Sequence, residues 1–246
     1  MRSVVLATCQ GERFLLAQLE GILSQLSAED EVIISDDDST DGTLAVLRGI
    51  SEPRVQVITN TRRVGYAANF ERAIARARGE VVLFSDQDDI WLPNKVAELD
   101  SALRRADCVA SDAIVVDEEL RVLHDSFFRL REAHRFDDLS IFRKPKIVGA
   151  TLACRRSYLQ TLLPFPRGVP HDFWITVNAA FDRKLEVLPT PLILYRRHDR
   201  AASVTATGQK RRMGIIAVER TRIAIHMLLR RLITRRRDSR RATERA

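Results

Sequence analysis

Four consecutive polar residues, Asp86, Gln87, Asp88 and Asp89, directly follow a strongly apolar segment. At the end of a strand, side chains two residues apart point to the same side, so the carboxylates of Asp86 and Asp88 can approach one cation. Clustered carboxylates repel each other, and Mg²⁺ or Mn²⁺ shared with phosphate oxygens supplies the missing counter-charge. The pattern predicts a metal–diphosphate site. Asp89 alone is equally compatible with capping a helix that begins near Pro93.

A second acidic segment opens with Asp36, Asp37 and Asp38. Asp36 and Asp37 could accept hydrogen bonds from a nucleotide base or ribose, whereas Ser39 or Asp41 could cap the helix that follows. The segment also matches the D-x-D-x-T pattern of haloacid-dehalogenase-like phosphohydrolases, in which the first Asp is the nucleophile. A phosphohydrolase that uses Asp36 and Asp38 is therefore one alternative function.

The elements that must position these residues follow an alternating pattern. Short β-branched segments predict strands at residues 4–7, 31–35, 55–58 and 80–85, and apolar periodicity predicts helices at 14–26, 43–50 and 67–78. This alternation predicts an α/β fold with a mostly parallel mixed sheet and helices on both faces, in which ligands bind beyond the carboxyl ends of the strands. Further along, we predict helices at 95–105 and 171–181 and strands at 108–110, 113–116, 147–154 and 192–195.

The positive charge of the chain is concentrated at its C-terminus. Residues 209–246 contain thirteen basic and three acidic residues, a net charge of +10, whereas the whole chain carries +7, so residues 1–208 carry −3. We therefore predict a catalytic domain at 1–208 and an Arg-rich amphipathic helical tail at 209–246. Six large apolar residues indicate one helical face in this tail: Ile215, Val218, Ile225, Leu228, Leu229 and Leu232. The tail could pack on the domain, lie on an anionic membrane, or bind nucleic acid.

Taken in order, the motifs resemble those of family 2 glycosyltransferases of the GT-A fold, and among them the bacterial rhamnosyltransferase-like members. The resemblance covers about residues 3–200. The segments that carry it are residues 4–12, 34–43, 65–70, 84–91, 171–174 and 194–198.

The resemblance implies a role for individual residues. The residues that would bind the nucleotide are Thr8, Gln10, Glu12, Asp36, Asp37, Asn69, Asp86 and Gln87. The family often has a basic residue where this chain has Ala68, and Arg62 or Arg63 would take its place. The metal ligands would be Asp86, Asp88 and His198, although His198 could instead be a surface histidine. Asp172 would be the general base, a role compatible with its position at the start of a helix. Trp91, His171 and Trp174 would contact the acceptor.

The implied activity is inverting, metal-dependent transfer of a sugar to a glycan or lipid-linked acceptor. The donor would be a nucleotide-diphosphate sugar, either dTDP-rhamnose-like or a UDP-sugar. Besides the phosphohydrolase, a non-catalytic module that binds a nucleotide sugar or nucleic acid is a further alternative. No long apolar segment opens the chain, so we expect a cytoplasmic protein, and a peripheral one at the inner membrane face if the tail binds lipid.

Overall fold

One mixed sheet forms the centre of the protein in the computed structural model, which describes residues 1–198 and 213–243. Its strands, within that part of the chain, are β1 (Arg2–Thr8), β2 (Glu31–Asp36), β3 (Val55–Thr59), β4 (Val81–Asp86), β5 (Ile90–Trp91), β6 (Cys108–Val116), β7 (Val122–His124), β8 (Leu152–Arg155) and β9 (Leu185–Arg196). Their order across the sheet is β3, β2, β1, β4, β8, β6, β9 and β5, and β7 pairs with β6.

The first four strands form the parallel half of the sheet, as the sequence predicts. β1 lies between β2 and β4, with Thr8 paired to Asp36 and Ala7 paired to Asp86. The apolar residues of these strands, such as Val5 and Ile33, are fully buried because both faces of a parallel sheet are covered. This register brings the carboxyl ends of β1, β2 and β4, and with them both acidic segments, to one edge.

The helices alternate with the strands and end close to the predicted residues. They are α1 (Leu15–Leu23), α2 (Thr43–Arg48), α3 (Tyr66–Arg76), α4 (Lys95–Leu103), α5 (Phe127–Leu130), α6 (Asp138–Arg143), α7 (Arg156–Leu162) and α8 (His171–Phe181). In α1, the predicted apolar face is buried through Leu15, Leu19 and Ile22. The short helices α5, α6 and α7 were not predicted from the sequence.

The second half of the sheet differs from the prediction in three places. The two strands expected at 108–110 and 113–116 form the single strand β6, whose register against β9 shifts around Asp112. β9 begins at Leu185, earlier than predicted, and runs through Pro189 and Pro191. A strand tolerates these prolines because they lie where the register against β6 is irregular. Most of the strand predicted at 147–154 is a loop and a 3₁₀ turn (Gly149–Thr151), and only β8 pairs.

The C-terminal segment contains one long helix, α9 (Met213–Thr243). The predicted tail is thus helical over these residues, while its predicted boundary at 208 lies outside the described residues. No helix in the described part of the chain is long and apolar enough to cross a membrane. α9 packs on α8 through Ile223 and Met227, which are buried. The six apolar residues from which the sequence predicts one helical face are all exposed.

Candidate active site

The loop after β1 is fixed to the loop after β4 by the side chain of Gln87. Its Oε1 accepts hydrogen bonds from the Thr8 hydroxyl at 2.5 Å and from the Cys9 backbone N–H at 2.8 Å, and its Nε2 donates to the Cys9 carbonyl at 3.1 Å. Gly11 must lack a side chain here, because an added Cβ would lie within 3 Å of both Thr8 and Gln87. Thr8 and Gln87 therefore shape this loop together.

The same loop is also tied to the start of α2. The Oε1 atom of Gln10 accepts from the Thr40 backbone N–H at 2.7 Å, and a carboxylate oxygen of Glu12 accepts from the Gly42 N–H at 2.9 Å. Gln10 adopts a φ of 57° to make this turn. Both side chains remain exposed at the sheet edge, so the structure places them where a nucleotide contact was predicted.

The carboxylates after β2 are used within the protein. Asp36 is fully buried, and Ser39 donates to it through its N–H at 2.9 Å and through its hydroxyl at 2.5 Å. Asp37 accepts from the N–H groups of Val64 at 2.7 Å and Gly65 at 2.9 Å. The structure thus corrects the prediction for Asp36, which shapes its loop and is not exposed to a ligand. Direct nucleotide binding by Asp37, 5% exposed, stays a prediction.

Asp38 occupies the tip of this loop with a φ of 56°. The family that the sequence resembles commonly has Gly at this position, and Asp is among the few other residues that tolerate the left-handed region of backbone conformation. The turn is therefore kept despite the substitution. Asp41, further on, accepts from the Thr43 N–H at 3.0 Å, and it lies one residue before Gly42, which holds the N-cap position of α2.

Asn69 is a buried cross-link beneath the first two strands. Its Nδ2 donates to the Ser35 carbonyl at 2.6 Å, and its Oδ1 accepts from the Ser35 hydroxyl at 2.6 Å and from Asn60 at 3.0 Å. With 1% of its surface exposed, it supports the cleft and does not reach a ligand, which corrects its predicted role. Arg63, by contrast, is exposed, and its charge partly offsets the rise that burial causes in the pKa of Cys9.

The carboxylates after β4 are not satisfied in this way. Among the described residues no donor forms a hydrogen bond to the Asp86 carboxylate, and burial together with the charges of Asp88 and Asp172 raises the pKa of Asp86 to about 7. Asp89 is 1% exposed; one oxygen accepts from the Arg196 N–H at 3.1 Å, and the other has no hydrogen-bond partner within residues 1–198 and 213–243. Burial and the charges of Asp88 and Asp86 raise the pKa of Asp89 as well.

The role predicted for Asp89 as a possible helix cap is wrong. The next helix, α4, begins at Lys95, and the capping position belongs to Asn94, whose φ is 66°. Asp89 instead joins the acidic loop to the end of β9 through its hydrogen bond to Arg196. The acidic loop is therefore held against the last strand of the sheet.

A buried lysine lies beneath the acidic loop and was missed in the sequence. Lys95 has no exposed surface, its Nζ donates to the Ala150 carbonyl at 2.6 Å, and the same atom lies 4.3 Å from the centre of the Trp91 ring. Burial lowers the pKa of Lys95 to about 7, although Asp89 and Asp86 act against this fall. Lys95 is thus an internal counter-charge for carboxylates that outnumber it.

Asp172 lies in the first turn of α8, where its charge is close enough to raise the pKa of Asp86. Its Oδ1 accepts from the Phe173 N–H at 2.8 Å, and the side chain remains partly exposed. The turn that contains Gly149 packs against it, since an added Cβ on Gly149 would lie 3.3 Å from the Asp172 Cβ. The structure therefore brings the predicted base and the acidic loop to one place.

His171, Trp91 and Trp174 are buried, so the structure corrects their predicted contact with an acceptor. His171 stacks on Phe84 and Phe70, neither ring nitrogen has a hydrogen-bond partner among the described residues, and burial lowers its pKa to about 3. The Trp174 indole N–H donates to a core carbonyl, that of Leu162, at 2.9 Å. Trp91 is buried because β5 pairs with β9. These rings support the site from within the core.

His198 contacts the acidic loop directly, and it is not an exposed surface histidine. Its Nε2 lies 2.8 Å from a carboxylate oxygen of Asp88, and 6% of its side chain is exposed. Two carboxylates and an imidazole are ligands that suit Mg²⁺ or Mn²⁺. In the part of the chain that the structure describes, however, no three acidic, His or Cys side chains already converge as a metal site.

The sequence model of one family, described as Glycosyl transferase family 2, matches residues 3–163 of this chain. Among curated proteins, the chain is similar to the dTDP-rhamnosyl transferase RfbG of Shigella flexneri, with 26% identity over 86% of this chain and 78% of that protein. It is also similar to the Escherichia coli protein UDP-Glc:alpha-D-GlcNAc-diphosphoundecaprenol beta-1,3-glucosyltransferase WfgD. That match has 32% identity and covers 38% of this chain and 37% of WfgD.

The solved structure of S. aureus TarS 1-349 in complex with UDP-GlcNAc has a similar fold. Its TM-score is 0.68 at 20% identity, and the match covers 89% of this chain and 66% of the TarS chain. The chain described above thus spans little more than a third of WfgD and just under two thirds of TarS 1-349.

Proposed function

This chain belongs to glycosyl transferase family 2 and is a glycosyltransferase of the GT-A fold, and from that premise we propose that it transfers a sugar with inversion, using Asp172 as the general base. One observation carries the proposal. Asp172 and the loop of Asp86 and Asp88 come from distant parts of the chain, yet their charges act on each other at one edge of the sheet.

The position of Asp172 suits proton abstraction. The side chain is partly exposed at the start of α8, and its Oδ1 is held by the Phe173 N–H. A carboxylate at this position can accept the proton of an acceptor hydroxyl. A base that deprotonates the attacking oxygen opposite the leaving group supports a single displacement, which inverts the anomeric centre.

Asp86, Asp88 and His198 are the residues we propose to hold Mg²⁺ or Mn²⁺. A bound divalent ion would neutralise charge that develops on the departing diphosphate. The raised pKa of Asp86 supports this assignment, because burial and the charges of Asp88 and Asp172 disfavour its ionised form and Lys95 offsets them only in part. The chain's own contribution is to fix Asp88 against His198 and to keep Asp86 beside them at the end of β4.

The donor we propose is a nucleotide-diphosphate sugar bound along the ends of β1 and β2, with Gln10, Glu12 and Arg63 as its exposed contacts. The names of RfbG and WfgD favour a dTDP-linked or UDP-linked sugar, and that of WfgD favours a lipid-linked saccharide as acceptor. The phosphohydrolase alternative is disfavoured, because Asp36, its nucleophile, is fully buried and bonded to Ser39.

The substitution Asp172→Asn tests the proposed base. We expect donor affinity to stay within about twofold and transfer to fall by about 10²–10⁴-fold, the usual contribution of general base catalysis. Calorimetry with UDP, dTDP and GDP in the presence of Mn²⁺ measures affinity, and mass spectrometry of products from a donor panel measures transfer. Asp125→Asn, which changes a largely exposed carboxylate elsewhere, is the matched control. Transfer at the parent rate in Asp172→Asn would show that the base is another residue.

A further inference from the structure

α9 has two apolar faces, and only one of them packs on the protein. The packed face contains Glu219, Ile223 and Met227, which are four residues apart and buried. At one end of this contact the Arg220 guanidinium lies 4.1 Å from the centre of the Phe173 ring. The helix is therefore fixed in rotation about its own axis, and its opposite face must point away from the protein.

That opposite face is apolar. Five large side chains on it are between 47% and 61% exposed, namely Val218, Ile225, Leu228, Leu229 and Leu232, and Ile215, which is 55% exposed, lies at its edge, about 80° around the helix from Ile223. At roughly 100° per residue, Ile225 and Leu232 lie about 180–200° around the helix from Ile223. We call these six residues the outer stripe of α9.

The outer stripe is unusual for this molecule. Fourteen large apolar residues are exposed in the part of the chain that the structure describes, and six of them lie within this one stretch of helix. Single exposed apolar residues are ordinary, but a contiguous row of them marks a surface that is covered in the functional state. The question is therefore what covers it.

Charge decides between the candidate partners. Residues 213–243 contain nine arginines and two acidic residues, whereas residues 1–208 carry a net charge of −3. A layer of anionic lipid has an apolar interior of acyl chains and negatively charged headgroups at its surface. An apolar stripe on a strongly cationic helix complements both parts of such a layer. A second copy of the helix would instead bring like charges together. We propose that the outer stripe of α9 docks on an anionic lipid surface.

The direction of α9 gives this docking a consequence for the active site. α9 runs alongside α8, because Arg220 contacts Phe173 near the start of α8 and Arg230 pairs with Asp182 just after its end. A lipid surface against the outer stripe would lie about one helix diameter, roughly 10 Å, from α8. The helix whose first turn contains Asp172 would thus be held close to the lipid, whichever acceptor the enzyme uses.

Vesicle binding by the full chain tests this inference. We expect it to co-sediment with vesicles of phosphatidylcholine and phosphatidylglycerol, and only weakly with phosphatidylcholine alone. The triple variant Ile225→Gln, Leu229→Gln and Leu232→Gln should bind at least about tenfold more weakly, because it removes much of the apolar contact. The matched control changes exposed apolar residues elsewhere, namely Val122→Gln, Leu123→Gln and Leu139→Gln, and should bind like the parent.

A second variant separates the electrostatic contribution. Arg235→Gln, Arg236→Gln and Arg237→Gln should weaken binding and reduce its dependence on salt concentration. Circular dichroism and donor hydrolysis, expected to be unchanged in both triple variants, show that each is folded. The inference is overturned if the parent does not bind anionic vesicles, or if the stripe variant binds them as the parent does. It is equally overturned if sedimentation without lipid shows a parent dimer and a monomeric stripe variant.

Discussion

Two acidic loops lie on either side of β1, and they treat their carboxylates in opposite ways. After β2, Asp36 and Asp37 are buried and each accepts hydrogen bonds from protein donors. After β4, Asp86 has no hydrogen-bond donor among the described residues, and one oxygen of Asp89 is buried without a partner. The carboxylates of the first loop have their hydrogen bonds satisfied by the protein, whereas those of the second loop have oxygens that can still bind a cation or a donor.

The difference comes from the backbone around each loop. The β2 loop turns back on itself and receives N–H groups from the loop that precedes α3, so its charge is neutralised by hydrogen bonds. The β4 loop receives no N–H group from the described residues at the Asp86 carboxylate, and it lies close to Asp172, a further negative charge. A region that leaves carboxylates unsatisfied in the folded protein gains most from a cation or a ligand, and perturbed groups of this kind concentrate at functional sites.

The substitution Asp86→Asn should have the largest effect and should separate function from stability. We expect Mn²⁺-dependent donor binding to weaken by about 100-fold, since one of the proposed metal ligands is lost. In EDTA at pH 8, the free energy of unfolding should stay the same or rise by up to about 1 kcal/mol, because repulsion with Asp88 and Asp172 is relieved. Calorimetry and urea unfolding measure the two quantities. A clear fall in the free energy of unfolding of Asp86→Asn would show that the Asp86 carboxylate stabilises the fold as that of Asp37 does, and would contradict the difference between the two loops.

The substitution Asp37→Asn should show the converse behaviour. The new amide nitrogen would face the N–H of Val64 or Gly65, so one buried donor loses its acceptor and unfolding should cost about 2 kcal/mol less. Urea denaturation measures this change. Asp38→Asn is the matched control, because Asn tolerates the positive φ of that position and the side chain is only partly buried. Equal stability of the two variants would contradict the role given to Asp37.

The substitution His171→Phe should change the pH dependence of stability in acid and leave stability at neutral pH nearly unchanged. His171 has a folded-state pKa of about 3 against an ordinary value of 6.5, so the unfolded chain binds more protons between these values. The neutral His171 therefore contributes to the free energy of unfolding in full above pH 6.5. This contribution is lost as the pH falls, by about 2 kcal/mol at pH 5. His171→Phe should not lose it, whereas a change at exposed His124 to Gln should behave like the parent. Parallel stability curves for His171→Phe and the parent between pH 5 and 7.5 would rule out a buried neutral imidazole.

The parallel half of the fold could be predicted from the sequence, because its signals are local. The β-branched segments and the apolar spacing of α1 each fix an element without reference to distant residues, and α8 was predicted with its observed bounds. The irregular half was harder. β9 contains two prolines, and only the register shift against β6 makes them tolerable in a strand.

The roles of individual site residues depended on contacts that sequence spacing does not contain. Asp36 and Asp86 look alike in the sequence, and only the donors that the fold brings to one of them distinguish the two. Lys95 reads as the first residue of an amphipathic helix, so nothing local signals that it lies beneath the acidic loop. Trp91 was expected to contact the acceptor from the resemblance, but the pairing of β5 with β9 buries it.

The side-chain amide of Gln87 makes the residues at the ends of β1 and β4 depend on one another. It bonds both the Thr8 hydroxyl and the Cys9 backbone, and it fills the space that a side chain at position 11 would need. A change at any one of positions 8, 11 and 87 therefore removes the reason for the residues at the other two. We expect these positions to vary together during divergence from a common ancestor, as a matched set in which intermediate combinations fold less well than either end state.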